Sequence, residues 1–246
     1  MWQFFKRSLN DLARTVGLRL VNPIQRLPGN GPAPQKKNGT WANLDKGQLR
    51  LLFHHEQLVR TKDLSGNIVE CGVASGGTLA FFYSLDREHG GNRQVWGFDT
   101  FEGFPRPTTQ DGTFLLNNPA KQDRYRKLTL ERAFETLKLA GLSDQDLKAV
   151  RLIKGLIPAS FSEYSGEKVS FLNIDVDLYE PTLASLNFFW PLMEAGGVII
   201  FDEYDSADDR QKWPGAKIAI DEFCLAHQVV LSRHFSGRTF LVKDGQ

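Results

Sequence analysis

Four carboxylates define the chemistry open to this chain. Asp175 and Asp177 close one apolar run, and Asp202 and Glu203 close the next. If the two runs are neighbouring strands, their tips stand roughly 5 to 10 Å apart. Carboxylates that close repel one another and stay ionised cheaply only with a cation between them. An all-oxygen donor set favours Mg²⁺, Ca²⁺ or Mn²⁺, and these segments hold no histidine or cysteine that would suit zinc. A hard cation can bind a sugar or catechol hydroxyl, lower its pKa and orient it, while a nearby carboxylate takes the proton. The plainer alternative is that Asp175 or Asp177 caps a following helix and Asp202 closes a turn. Asp177 is the residue most open to that alternative.

The stretch Asn67 to Thr78 reads Asn-Ile-Val-Glu-Cys-Gly-Val-Ala-Ser-Gly-Gly-Thr, an apolar run, a glycine-rich turn and the start of an apolar segment. That predicts strand, tight turn, helix, with free N–H groups at the helix start. The dinucleotide fingerprint Gly-x-Gly-x-x-Gly is not met, because Ala74 stands at its second glycine and a pyrophosphate would meet a methyl group. Glu70, or its surroundings, suits a cationic amino-acid end. Asp99, at the tip of the next strand, is placed to accept from two ribose hydroxyls. An amino acid joined to an adenosine is S-adenosylmethionine. The expected cofactor-binding set is therefore Glu70, Gly72, Val73, Ala74, Ser75, Gly76, Gly77, Thr78, Asp99, Thr100, Phe101 and Gly155. The competing reading is a glycine turn that serves only helix packing.

These residues need elements to hold them. Strands are predicted at 67–71, 94–98, 150–153, 169–174 and 197–201, and helices from about Gly77, over 125–139, 180–193 and 215–226. The helical pattern of 44–59 includes His54 and His55, read as surface residues because neighbours on a helix point in different directions. Residues 102–123 form a long irregular region, often a lid in such domains. Segments 229–234 and 238–242 read as a hairpin. Strands alternating with helices imply a doubly wound, mostly parallel α/β sheet with an antiparallel element at its end. Ligands bind beyond the carboxyl ends of such strands. Glu70, Asp99, Lys154, Asp175, Asp177, Asp202 and Glu203 should then share one rim.

The chain has 246 residues, 41% apolar, with a net charge of +1. That suits one large α/β domain and argues against nucleic acid as a partner. Cys71 and Cys224 make no disulfide framework, which suits a reducing, cytoplasmic setting. Residues 1–21 are expected to form an amphipathic basic helix, without a secretory cleavage pattern, and 22–43 a linker, with the remaining domain over 44–246. The helix is expected to pack on its own domain or on a second subunit in a homo-oligomer. Peripheral contact with an anionic membrane is the alternative.

Several segments together resemble the TylF/MycF family of metal-dependent sugar O-methyltransferases. They are Val69-Glu70-Cys71-Gly72-Val73 with Gly76-Gly77, Trp96-Gly97-Phe98-Asp99-Thr100-Phe101-Glu102-Gly103-Phe104-Pro105, and Asn173-Ile174-Asp175-Val176-Asp177-Leu178-Tyr179-Glu180-Pro181-Thr182. Gly196-Gly197-Val198-Ile199-Ile200-Phe201-Asp202-Glu203-Tyr204 and the run Pro214 to Phe223 complete the set. The resemblance covers roughly residues 45 to 243. It implies a class I methyltransferase fold with a seven-stranded sheet, S-adenosylmethionine as donor, and Mg²⁺ on Asp175, Asp202 and Glu203. It implies Asp175 or Asp177 as general base and a sugar hydroxyl in a glycoside or glycan as acceptor. The family usually carries a second aspartate where this chain has Glu203, and often glycine where it has Val176. A catechol or phenol methyltransferase would use the same metal, and a non-catalytic binding protein of this fold is the third possibility.

Overall fold

The computed structural model describes residues 44–204 and 206–245. The amphipathic helix expected over 1–21 and the linker over 22–43 lie outside the described residues. The chain divides after Leu49 into two units. In the first, Asp45 and Gln48 cap each other at the start of α1 (Lys46–Arg60). The Gln48 N–H donates to Asp45 Oδ1 at 2.8 Å, and the Asp45 N–H donates to Gln48 Oε1 at 3.0 Å.

The second unit is organised on a sheet of β1 (Asn67–Cys71), β2 (Val95–Asp99), β3 (Val150–Lys154), β4 (Val169–Ile174), β5 (Met193–Phe201), β6 (Ser232–Arg233) and β7 (Thr239–Val242). The order is β3-β2-β1-β4-β5-β7-β6. The first five strands run parallel, and β7 is antiparallel to both neighbours. Helices are α2 (Gly77–Glu88), α3 (Pro119–Arg126), α4 (Leu130–Leu139), α5 (Tyr179–Phe189), α6 (Ala207–Lys212) and α7 (Pro214–His227). This is the α/β architecture expected from the alternation of apolar runs.

Strand periodicity divides the core into two layers. Ile68, Phe171, Val198 and Ile200 join Phe53, Leu79, Phe82 and Leu137 on one face. Val69, Cys71, Leu172, Ile174, Ile199 and Phe201 join Leu186, Phe189, Ile220 and Phe223 on the other. Both faces are covered, so the central strands read as unbroken apolar runs instead of alternating ones.

Several expectations are corrected. The helix expected over 125–139 is two helices, because Thr129 is extended and its Oγ1 accepts the Arg132 N–H at 3.3 Å, an N-cap that starts α4 afresh. The helix expected to reach Met193 ends at Phe189, and Pro191 sits in a short 3₁₀ turn after it. The fifth strand then begins at Met193 instead of Gly197. The long irregular region carries α3 and a 3₁₀ turn, Thr109–Asp111. His54 and His55 are buried, not on the surface. Burial lowers the His54 ring to about 3 and the His55 ring to about 4. No helix among the described residues is long and apolar enough to cross a membrane.

Candidate active site

The strand tips meet in register along one edge of the sheet. The Asp175 N–H donates to the Cys71 carbonyl at 2.8 Å, Gly72 to Phe98 at 2.8 Å, Gly155 to Asp99 at 2.9 Å and Asp202 to Ile174 at 3.1 Å. Residues far apart in sequence are thereby fixed side by side. Gly72 has φ +93, and a Cβ there would overlap the Asp175 carbonyl oxygen. Its lack of a side chain is demanded by the neighbouring strand tip, in addition to the turn.

Beyond the tips lies a cleft whose lining includes Gly72, Ala74, Asp99, Thr100, Gly103, Phe104, Tyr125, Gly155, Asp175 and Asp177. Ala74 and Phe101 both hold φ near +50, at 48 and 51. Such backbone costs about 1–3 kcal/mol for a residue with a side chain and clusters at functional sites. The reason for both is Asp99. Its Oδ2 accepts the Ala74 N–H and its Oδ1 accepts the Phe101 N–H, each at 2.8 Å. Asp99 thus ties the glycine turn to the segment after β2; Oδ1 also accepts from Thr100 Oγ1 at 3.3 Å, while Oδ2 keeps a second lone pair for a ligand hydroxyl.

Glu70 is the expected rim residue that departs from the rim. It pairs in the sheet with Gly97 and Asn173 and is fully buried. Oε1 accepts from Asn173 Nδ2 at 2.9 Å, while Oε2 and Asn173 Oδ1 have no protein partner. Burial pushes the Glu70 carboxyl up to about 8. A buried acid with an unsatisfied oxygen is the kind of group that an ammonium relieves.

Among the acids, Asp175, Asp177 and Glu203 converge, each offering an oxygen within 4.8 Å of the others. Burial, then repulsion from Asp202 and Asp177, holds the Asp175 carboxyl well above the usual carboxylate range. Burial, then Asp177 and Asp175, does the same for Glu203. Burial lifts Asp177 to about 7, with the Lys121 ammonium pulling the other way. Asp177 also holds φ 65, a left-handed conformation that aspartate tolerates better than most residues. Three crowded, costly carboxylates fit a hard divalent cation, and their all-oxygen character is right for one.

Asp202 stands differently. Its Oδ1 accepts from Arg238 Nη1 at 2.7 Å and lies 3.5 Å from Arg50 Nη1. Burial alone would raise this carboxyl, but Arg238 and Arg50 outweigh it and hold it below the ordinary value. The expected metal set names Asp202 beside Asp175 and Glu203; the acids whose oxygens converge are Asp175, Asp177 and Glu203, while Asp202 is hydrogen-bonded to Arg238. Arg50, Arg238, Lys121 and Tyr125 escaped the sequence reading. Arg50 is one of several basic residues on an amphipathic helix, and Arg238 follows a hairpin turn, so neither carries a local signal.

The family model described as Macrocin-O-methyltransferase (TylF) matches residues 43–232. The 8-demethyl-8-(2,3-dimethoxy-alpha-L-rhamnosyl)-tetracenomycin-C 4'-O-methyltransferase of Streptomyces olivaceus is 28% identical over 153 residues, 60% of this chain and 56% of that protein. The matches span only 56% to 62% of the length of the curated relatives. Among solved structures, CalS11, a calicheamicin methyltransferase, superposes with a TM-score of 0.65 at 29% identity, covering 81% of this chain and 80% of that one. The O-methyltransferase NovP reaches a TM-score of 0.69 at 22% identity, covering 80% of each chain, and shows the shared fold.

Proposed function

The chain belongs to the macrocin-O-methyltransferase (TylF) family, and from that premise we propose that it transfers a methyl group from S-adenosylmethionine to a hydroxyl of a sugar in a glycoside or glycan. The observation that carries this reading is one cleft lined by both the Ala74–Asp99 turn and the acids Asp175 and Asp177.

The proposed donor site runs along Gly72 to Thr78, with Asp99 accepting from the ribose and Thr100, Phe101 and Gly155 beside it. Glu70 and Asn173, with their unsatisfied buried oxygens, support a cationic amino-acid end nearby. Asp175, Asp177 and Glu203 would hold a hard divalent cation such as Mg²⁺. When bound, that cation supplies an acidified, oriented acceptor hydroxyl. Asp177 is the proposed base that takes the acceptor proton, with Asp175 the alternative. Holding donor and acceptor together adds a proximity contribution. Asp202 stays with Arg238 and Arg50, outside this trio.

Calorimetry with S-adenosylhomocysteine tests the donor assignment, and absence of binding would sink it. Methyl transfer to a panel of sugars and catechols, with and without Mg²⁺, tests the rest. Turnover of sugars that chelator abolishes and Mg²⁺ restores is the expected result. Turnover of catechols alone would replace the acceptor class.

A further inference from the structure

Four aromatic rings crowd the Lys121 ammonium, which also pulls against the burial that raises the Asp177 carboxyl. Lys121, on α3, places Nζ 4.0 Å from the centroid of the Trp213 ring. Tyr125, Phe114 and Phe104 surround the same nitrogen at 5.4, 5.7 and 5.9 Å. The rings are packed on one another. Phe104 lies 4.6 Å from Tyr125 and 5.7 Å from Trp213, while Phe114 meets Trp213 edge-on at 5.3 Å. Ring faces of this kind attract a cation, and more weakly the polarised C–H groups of a sugar ring.

The enclosure is continuous with the cleft, since Phe104 and Tyr125 line it together with Asp175 and Asp177. The donor turn Gly72–Ala74 and Asp99 line the cleft too, whereas Trp213 does not. An acceptor whose hydroxyl reaches the acids has its ring to place elsewhere. The occupant there now is a side chain on a helix, Pro119–Arg126, that contains no buried residue and has no side-chain N-cap bond.

We infer that the Phe104–Phe114–Tyr125–Trp213 enclosure is the subsite for the acceptor's sugar ring, and that Lys121 is its resident occupant, displaced when the acceptor binds. The inference rests on the sugar-acceptor reading, and it assigns ring recognition to residues that neither bind the donor nor touch the proton.

The test uses the full chain, with methyl α-L-rhamnopyranoside as the sugar and saturation-transfer NMR as the readout. Lys121→Ala removes the ammonium that faces all four rings, leaving Lys212 Nζ 5.8 Å from the Phe114 centroid, and is expected to bind the glycoside at least fivefold more tightly than the unaltered protein. Adding Trp213→Leu to Lys121→Ala is expected to abolish that gain. Tyr125→Leu replaces Trp213→Leu if the buried tryptophan proves necessary for folding. S-adenosylhomocysteine affinity should stay within twofold throughout. Equal binding by the unaltered protein and Lys121→Ala, a gain that survives loss of the ring, or no measurable glycoside binding by either form would each overturn the inference. Loss of S-adenosylhomocysteine binding in the unaltered protein would strike the donor reading instead, leaving a ring-dependent gain in glycoside binding as support for the subsite.

Discussion

Asp177 is a buried carboxylate in a left-handed backbone, crowded by two other acids. Its residue-scale prediction separates it from Asp202. Calorimetric titration with Mn²⁺ should show Asp177→Asn and Glu203→Gln each weakening affinity at least tenfold, because each removes an oxygen donor from the trio. Asp202→Asn should weaken it less than threefold, since that carboxylate is taken up by Arg238. The reverse order would return Asp202 to the metal. His54 supplies a second prediction. Its ring titrates near 6.5 when unfolded and near 3 in the fold, so the unfolded chain binds the extra proton first. The stability it contributes is complete above about pH 6.5 and is lost as pH falls toward 3. Between pH 7 and pH 4 the unfolding midpoint of His54→Gln should therefore rise relative to that of the unaltered protein as pH falls, against the opposite trend of the buried acids.

At the scale of elements, two joints hold the segment over the cleft. One is the Thr129 cap that separates α3 from α4. Thr129→Ala should cost about 1 kcal/mol of stability in urea unfolding, the usual worth of such a cap. The other is Asp111 in the 3₁₀ turn. Its Oδ1 accepts the Tyr179 N–H at 2.7 Å, and its Oδ2 accepts from the Thr108 N–H and hydroxyl at 2.7 and 2.8 Å. A Cβ on Gly215 would overlap that same Oδ1. Gly215→Ala should accordingly push Asp111 off Tyr179, raising amide exchange across residues 103–117 several-fold while the central strands keep their protection. Uniform loss of protection would mean that Gly215 serves the whole fold and not this joint.

Over the whole molecule, buried acids make stability depend on pH in the opposite sense to His54. Asp177 at about 7 and Glu70 at about 8 bind a proton more tightly folded than unfolded. Their contribution is complete below the ordinary carboxylate pKa and is lost as pH rises through 7 to 8. In chelator, the unfolding midpoint should decline from pH 6 to pH 9. Saturating Mg²⁺ should remove most of the Asp177 part of that decline, because a bound cation favours the ionised acids. An unchanged slope with Mg²⁺ would argue against a cation at the trio.

The sequence by itself determined the sheet and its rim. Central strands buried on both faces read as apolar runs, and the boundaries of 67–71 and 169–174 match the structure because polar turns bracket them. Asp99, Asp175, Asp177 and Glu203 were legible as strand-tip acids, since strands, turns and helices are written in local periodicity. Tertiary structure decided what each acid faces. Asp202 meets Arg50 and Arg238, which lie 152 and 36 residues away in the chain, and Glu70 turns inward to Asn173. Lys121 finds Trp213 across an equally nonlocal gap. A carboxylate's charge state follows from burial and from neighbours within a few ångströms. Those neighbours are brought together by packing, which no local pattern in the chain records.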